Sequence, residues 1–482
     1  MNNFLFVFQG GSPIRLRSYR FMIKRILLIR PPSKDISRVL PLGLMYLGSA
    51  LKEKNIDVKL LDLRLDKFKD ADLNEEIKTF NPEVIGIGLL TVESKSAHQI
   101  ARHIKNTNPT LTVIFGGPHC EADPGLILND TNIDFMVIGE GEKTFSELVS
   151  ALQGNGNADK VKGIAYRKNG RIIKTKTREP IMNLDNLNPD YGLVDLEDYF
   201  QFSSSHEYLP QRKRFLPMFT SRGCPFECVY CHNIFGKKIR YISEEEVFSQ
   251  IEFLHKKYKI EEFHFLDDSF NIDIKRAKGI FDLIFKSGMD IRIAFPNGIR
   301  ADFIDDELID KMKKAGVYRL AIGIESASER ILKMVNKSLD ISNIKNLVKK
   351  LDRAGISSNG FFMLCFPTET REEMMKTVNF ACSLDLTTAE FSILIPNPGT
   401  KLCDSININQ RDEGPYNFEN YDYTSVNLNQ SCVSSEELVK IRRKAYWKFY
   451  FSPVRIWNIF KATPQKTLVL KKMFSRAGFL LR

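Results

Sequence analysis

The run Thr220-Ser221-Arg222-Gly223-Cys224-Pro225-Phe226-Glu227-Cys228-Val229-Tyr230-Cys231-His232-Asn233 places three cysteines within eight residues. Thiolates are natural ligands of iron–sulfur clusters. Three so close together can hold three irons of a four-iron four-sulfur (4Fe-4S) cluster and leave the fourth iron open. An open iron can chelate the amine and carboxylate of a bound molecule. The competing reading is zinc, with His232 as fourth ligand, although structural zinc sites more often join two separated ligand pairs. The other cysteines, Cys120, Cys365, Cys382, Cys403 and Cys432, are scattered. That is not the pattern of a secreted disulfide scaffold, and it points to a reducing, cytoplasmic compartment.

Further polar residues follow short apolar runs downstream. Asp267 and Asp268 could bind an ammonium group or cap the next helix. Arg300, after Asn297, could clamp a carboxylate or simply pair with Asp302. Glu325, just after Gly323, could take sugar hydroxyls or serve as a favourable acidic start to a helix.

These residues need a scaffold that brings strand ends together. Apolar runs alternating with helix-period segments predict strands at Arg25–Arg30, Asp57–Asp62, Val84–Leu89, Leu111–Phe115 and Asp134–Ile138. Five such βα units imply a flavodoxin- or Rossmann-like parallel sheet over residues 22–152. Residues 153–210 read as a linker, with a hairpin turning at Lys168-Asn169-Gly170. A second series, residues 211–410, predicts strands at Leu216–Thr220, Glu262–Leu266, Ile291–Phe295, Tyr318–Ile322, Ser358–Leu364 and Ala389–Leu394. Six units suggest a partial (β/α)6 TIM-like barrel, whose functional groups sit at the carboxyl ends of the strands. Residues 411–482 are expected to form a helical tail. Residues 1–21 are expected to lie outside the fold, with Met22 opening the first strand.

The C-x3-C-x2-C loop, with an aromatic before its last cysteine, resembles that of the radical S-adenosylmethionine (SAM) superfamily. The resemblance implies a reduced cluster at Cys224, Cys228 and Cys231 that cleaves SAM to a 5′-deoxyadenosyl radical. It places Tyr230 against the cluster and the adenine. By position it assigns Asp267, Asp268, Asn297, Arg300, Gly323 and Glu325 to SAM. The stretch Gly360 to Thr370 resembles the family's glycine-and-proline turn, with Cys365 and Thr368 where glycines are expected.

The order of these segments resembles the BchE-like subgroup, of class B methylase type, which carries a cobalamin-binding domain in front. In the front region, Leu42 and Gly43, Thr91, Gly116, Gly117 and His119, and Gly139, Glu140 and Gly141 fall in loops at the switch point of such a sheet. Glycines there let a large flat ligand approach the backbone. The cobalt-ligating histidine motif of many cobalamin proteins is missing from the loop Ser33 to Arg38. A hydrogen-bonding or structural role is therefore expected for His119. The alternative is a domain that kept the fold without the cofactor.

The chain is 43% hydrophobic and carries a net charge of +11. Residues 438–482 hold twelve Lys or Arg and no Asp or Glu, leaving 58 basic against 59 acidic residues elsewhere. A near-neutral body argues against a nucleic-acid partner. The tail also holds Trp447 and Trp457, so it could cap the barrel or meet anionic lipid as a peripheral membrane contact. No apolar run is long enough to span a bilayer. The resemblance implies methyl transfer to an unactivated carbon of a small-molecule or lipid-like substrate, with an electron donor such as flavodoxin or ferredoxin. The rival outcomes are a radical cyclisation, rearrangement or carbon–carbon bond formation, and, less favoured, a non-catalytic metal-binding protein.

Overall fold

In a computed structural model, the described residues are 23–463, apart from 34–38, 69–72, 155–156, 201–209, 233, 407–417 and 419–425, together with residue 466. The expected extension 1–21, most of the loop lacking a histidine and the chain beyond Lys466 lie outside them.

The first sheet contains β1 (Arg25–Arg30), β2 (Asp57–Asp62), β3 (Val84–Gly88), β4 (Thr112–Gly116), β5 (Phe135–Val137), β6 (Ile164–Lys168) and β7 (Arg171–Lys174). Their order is β2-β1-β3-β4-β5-β6-β7. The first five are parallel. The reversal between β1 and β3 makes their carboxyl ends a switch-point crevice. The hairpin expected in the linker instead extends this sheet. β6 pairs antiparallel with β5, Met136 opposite Ala165, and β7 pairs with β6. The short β5 would otherwise leave an open edge of unpaired backbone groups. The sheet is therefore mixed, and the front unit runs past the expected boundary at residue 152.

The second sheet is wholly parallel, built from β8 (Phe215–Met218), β11 (Glu262–Phe265), β12 (Arg292–Ile299), β13 (Val317–Glu325), β14 (Ser357–Leu364) and β15 (Thr388–Ile393). Each strand lies beside its sequence neighbour, which is the order of an open barrel. The two-residue strands β9 (Ser221–Arg222) and β10 (Arg240–Tyr241) pair antiparallel at the base of the cysteine loop. The helices between strands start where capping chemistry predicts. Ser243 caps helix Glu244–Tyr258, and Thr370 with Glu373 forms a capping box for helix Arg371–Ser383.

One continuous apolar core runs under both sheets, and a second fills the other face of the first. The tail helix Ser435–Tyr450 joins the larger core through Leu438, Ile441, Ala445 and Phe449. Its Tyr450 hydroxyl donates to the Ala389 carbonyl (2.9 Å), and the Phe391 N–H donates to the Tyr446 hydroxyl (3.2 Å). This helix is the cap that one reading of the tail expected. The next helix, Pro453–Ala462, exposes Val454 and Trp457. Phe449→Ala is expected to destabilise the apo-protein by about 3–5 kcal/mol. Trp457→Ala, at a site 64% exposed, is expected to change stability by less than about 0.5 kcal/mol. Urea unfolding of the two variants side by side checks both values.

Candidate active site

The cysteine loop grows from the carboxyl end of β8 and is held from beneath. The Asp267 carboxylate, 2% exposed, accepts the backbone N–H groups of Thr220 and Ser221 (2.6 Å each) and the Thr220 hydroxyl (2.7 Å). Arg276 donates to the carbonyls of Thr220 and Ile242. Gly223 has φ +95°, and a Cβ there would stand 2.5 Å from the Lys238 carbonyl, so the turn into the loop needs glycine. Two short helices, Glu329–Met334 after β13 and Lys401–Asp404 after β15, fix the remainder. The Val229 N–H donates to the Val335 carbonyl, the Leu402 N–H to that of Val229, and Asn336 Nδ2 to that of Glu227.

The three thiols are neighbours. Cys231 is exposed yet crowded, so desolvation, then the adjacent Cys228 and Cys224, push its thiol up to about 12. Burial likewise raises Cys228, and Ser269 Oγ donates to Cys224 Sγ (3.2 Å). A multi-iron cluster takes its thiolates at separate corners and supplies the positive charge that favours the thiolate form. Three neighbouring thiols, one of them accepting a hydroxyl hydrogen bond, fit such a group. Tyr230 lies in a hydrogen bond with Cys228, and burial followed by the Glu325 charge raises its hydroxyl far above the ordinary range.

The residues expected at the barrel mouth divide. Asp268 is exposed at the mouth yet crowded, so desolvation, then the Asp267 charge, raise its carboxyl to about 6. Its neighbour Asp267 faces inward and is fully used by the loop base, which corrects the expectation that both carboxylates meet a ligand. Asn297 is exposed and donates to the Leu266 carbonyl (2.7 Å). Arg300 pairs with Asp302 and the Ser338 carbonyl and lies 3.9 Å from the Phe226 ring centroid, so its role here is to hold the cysteine loop. Glu325 has φ +66° and pairs with Lys337 (3.1 Å), and a Cβ on Gly323 would meet that pair. A left-handed glutamate is a rare, costly backbone state of the kind found at functional sites.

Cys365 and Thr368, where glycines were expected, both take left-handed backbone, with φ +77° and +58°. Glu369, passed over in the sequence reading, holds this turn. One of its oxygens accepts the N–H groups of Cys365 (2.8 Å) and Phe366 (3.0 Å). The available signal was a carboxylate placed four residues after Cys365 and directly after Thr368, at the end of the segment where glycines were expected.

In the front domain, positions Gly43 and Gly139 have no atom within 4 Å of where a Cβ would stand. They leave an open shelf at the carboxyl ends of the parallel strands, the kind of space a flat macrocycle such as cobalamin fills. His119 is 1% exposed, with Nδ1 3.3 Å from the Thr91 hydroxyl and a buried Nε2 that has no hydrogen-bond partner. Burial lowers it to about 3, so it stays neutral. The orphaned Nε2 and the open glycines fit a polar-edged ligand. Other expected contacts have different duties. Leu42 lies in the core, Gly141 packs on Leu47, Gly117 (φ +101°) packs on the Leu89 backbone, and Gly116 has only Val137 near it. Glu140 pairs with Arg240 (2.5 Å) and Arg222 (3.3 Å) rather than facing the shelf.

The carboxyl ends of the two sheets face one another. Val92 and Leu126 of the front domain pack on Ile395 and Phe418, the His119 and Phe418 rings meet at 5.3 Å, and Gly399 abuts the Glu121 backbone. Two family models match along the chain, the B12 binding domain over residues 37–149 and the radical SAM superfamily over residues 218–381. The chain belongs to the radical SAM superfamily, among the members that carry a B12-binding domain in front. It is 34% identical over 470 residues to an uncharacterised methyltransferase of Pyrococcus horikoshii, covering 95% of this chain and 97% of the relative. It is 26% identical over 454 residues to the anaerobic magnesium-protoporphyrin IX monomethyl ester cyclase of Rubrivivax gelatinosus, covering 91% and 79% of the two. In fold it is similar to the radical SAM methyltransferase TsrM of Kitasatospora setae, solved with cobalamin and a [4Fe-4S] cluster. That match has a TM-score of 0.65 at 19% identity and covers 79% of this chain and 77% of that one.

Glu369 yields a test of the turn. Burial raises its carboxyl to about 8. The folded state therefore holds this proton more tightly than the unfolded one, and stability falls as pH rises from the ordinary carboxylate range to about 8. Glu369→Gln cannot ionise. The variant apo-protein is expected to gain urea midpoint relative to the parent on moving from pH 5.5 to pH 8; parallel pH profiles would refute the assignment.

Proposed function

We propose that this protein is a cobalamin-dependent radical SAM methyltransferase acting on an unactivated carbon of a small molecule. The observation that carries the reading is the opposition of the open Gly43 and Gly139 shelf to the barrel mouth bearing the three thiols. When bound, the cluster supplies the electron that cleaves SAM, and cobalamin supplies a cobalt able to carry a methyl group. Cys224, Cys228 and Cys231 would hold the cluster. Tyr230, Asp268, Asn297, Gly323 and Glu325 would line the SAM side. Gly43, Gly139, Thr91 and neutral His119 would receive the corrin edge. His119 would offer it a hydrogen bond while staying uncharged. The apolar group Ile331, Val335, Phe366, Leu394 and Leu402, beside Tyr230, would keep water from the reacting carbon. An electron donor of flavodoxin or ferredoxin type would dock outside the loop.

The cyclase relative favours a second reading, ring closure or carbon–carbon bond formation without methyl transfer. Products separate the two. Anaerobically reconstituted protein with SAM and a chemical reductant is expected to release both S-adenosylhomocysteine and 5′-deoxyadenosine. Deoxyadenosine alone would support the second reading. Cys228→Ala is expected to lose most of the bound iron and all deoxyadenosine formation.

The tail suggests where the substrate is met. No helix among the described residues is long and apolar enough to cross a membrane. Phe451, Val454 and Trp457 are 74, 69 and 64% exposed within the basic stretch. An apolar ridge amid Lys and Arg matches an anionic lipid surface. The full chain is expected to co-sediment with phosphatidylglycerol-containing vesicles and not with phosphatidylcholine alone. Replacing these three residues by Ser is expected to abolish sedimentation while leaving the capping helix in place. Equal sedimentation of parent and variant would refute the docking.

A further inference from the structure

Between the shelf and the cysteine loop lies a buried ionic cluster with a composition of its own. Arg222, two residues before Cys224, directs Nη2 to Glu142 Oε1 (2.7 Å) and Nη1 to Glu140 Oε2 (3.3 Å). Arg240, its ladder partner, forms an ion pair with Glu140 Oε1 (Nη1 at 2.5 Å) and donates a hydrogen bond from Nη1 to the Ile181 carbonyl (2.7 Å). The four side chains are at most 8% exposed. Two cations face two anions, so the cluster is neutral as a whole, which is the condition for keeping charges out of water. The Arg222 guanidinium also sits 4.9 Å from the ring centroids of both Tyr46, on the helix that follows β1, and Phe235, in the cysteine loop.

Its placement is what matters. Glu140 directly follows Gly139 of the open shelf, and Glu142 stands in the first turn of the next helix, where the helix dipole favours an acid. Arg222 is on the strand that leads into the cluster cysteines. One planar, two-pronged side chain thus spans the last residue before the shelf helix and the first residues before the cluster. Plain interdomain packing could be done by apolar side chains at less desolvation cost. A planar guanidinium with one prong on each of two carboxylates fixes orientation as well as distance.

We propose that Arg222 is a positioning residue that sets the front-domain shelf relative to the cysteine loop, so that methyl transfer depends on it while SAM cleavage does not. The proposal rests on the methyltransferase reading above. Glu142→Gln keeps the shape and an acceptor but removes one charge, and Arg222→Lys keeps the charge but loses the fork. Reconstituted holoenzymes of the parent and both variants are given SAM and reductant without oxygen or added substrate, so that the S-adenosylhomocysteine counted is what SAM releases on giving its methyl group to the reduced bound cobalamin, at most one per cobalamin. Both variants are expected to retain bound iron, cobalamin content and the change that SAM causes in the reduced cluster's electron paramagnetic resonance signal. The ratio of S-adenosylhomocysteine to 5′-deoxyadenosine is expected to fall about tenfold or more, because a displacement of about 1 Å between reacting partners is enough for losses of that order. Glu142→Asp, which restores the charge, is expected to recover part of the ratio. Unchanged ratios in both variants, or a parallel loss of both products with the resonance signal unaltered, would overturn the inference. Parent enzyme that forms no S-adenosylhomocysteine would instead overturn the methyltransferase reading. Should Arg222→Lys fail to fold, Glu142→Gln alone decides between these outcomes.

Discussion

The active-site half of this molecule depends on one buried carboxylate. Asp267, at the end of the second barrel strand, accepts three hydrogen bonds from Thr220 and Ser221. It thereby fixes the point where the first strand stops being sheet and becomes loop. The ladder between Ser221–Arg222 and Arg240–Tyr241 closes above it, and the cysteines project from the closed ring. Desolvation makes an ionised Asp267 costly and holds its carboxyl above the ordinary range, and Arg276 together with the three donors offsets only part of that cost. Without this anchor, the neighbours that grip Glu227 and Val229 would hold a loop with no fixed base.

The same logic extends outward. The loop is tied laterally to the short helices that follow β13 and β15, and upward to the front domain through Arg222 and Arg240. Apolar contacts among Val92, Leu126, Ile395 and Phe418 join the two halves as well. The thiols and the open glycines thus stand at the carboxyl ends of two parallel sheets, with neutral His119 held between Thr91 and Phe418.

Much of this was legible in the sequence. All eleven expected parallel strands occur, within a few residues of their expected bounds, because buried strands write their apolar runs plainly. The three-cysteine spacing marked the loop whose thiols the fold brings together as neighbours. What was illegible arises from tertiary placement. Asp267 and Asp268 are indistinguishable as letters, yet adjacent residues leaving a strand point to opposite sides, one into the loop base and one into the mouth. Glu140 looked like a shelf residue because it stands between two glycines, but its partners Arg222 and Arg240 are distant in the chain. The hairpin looked like linker because nothing local shows that β5 is short and needs a neighbour. Cys365 and Thr368 hid a glycine-like turn that the side chain of Glu369 sustains.

The open barrel has a last strand, β15, and an open edge invites foreign strands. Here the cover is supplied by the helix Ser435–Tyr450, whose two tyrosine hydroxyls meet the backbone of Ala389 and Phe391. That helix comes after β15 in the chain, so during vectorial synthesis the strand emerges before its cover. Until the helix docks, the sheet's edge stays bare and adhesive. The helix is then a molecular selvedge: it finishes the fabric so that it does not catch on its neighbours.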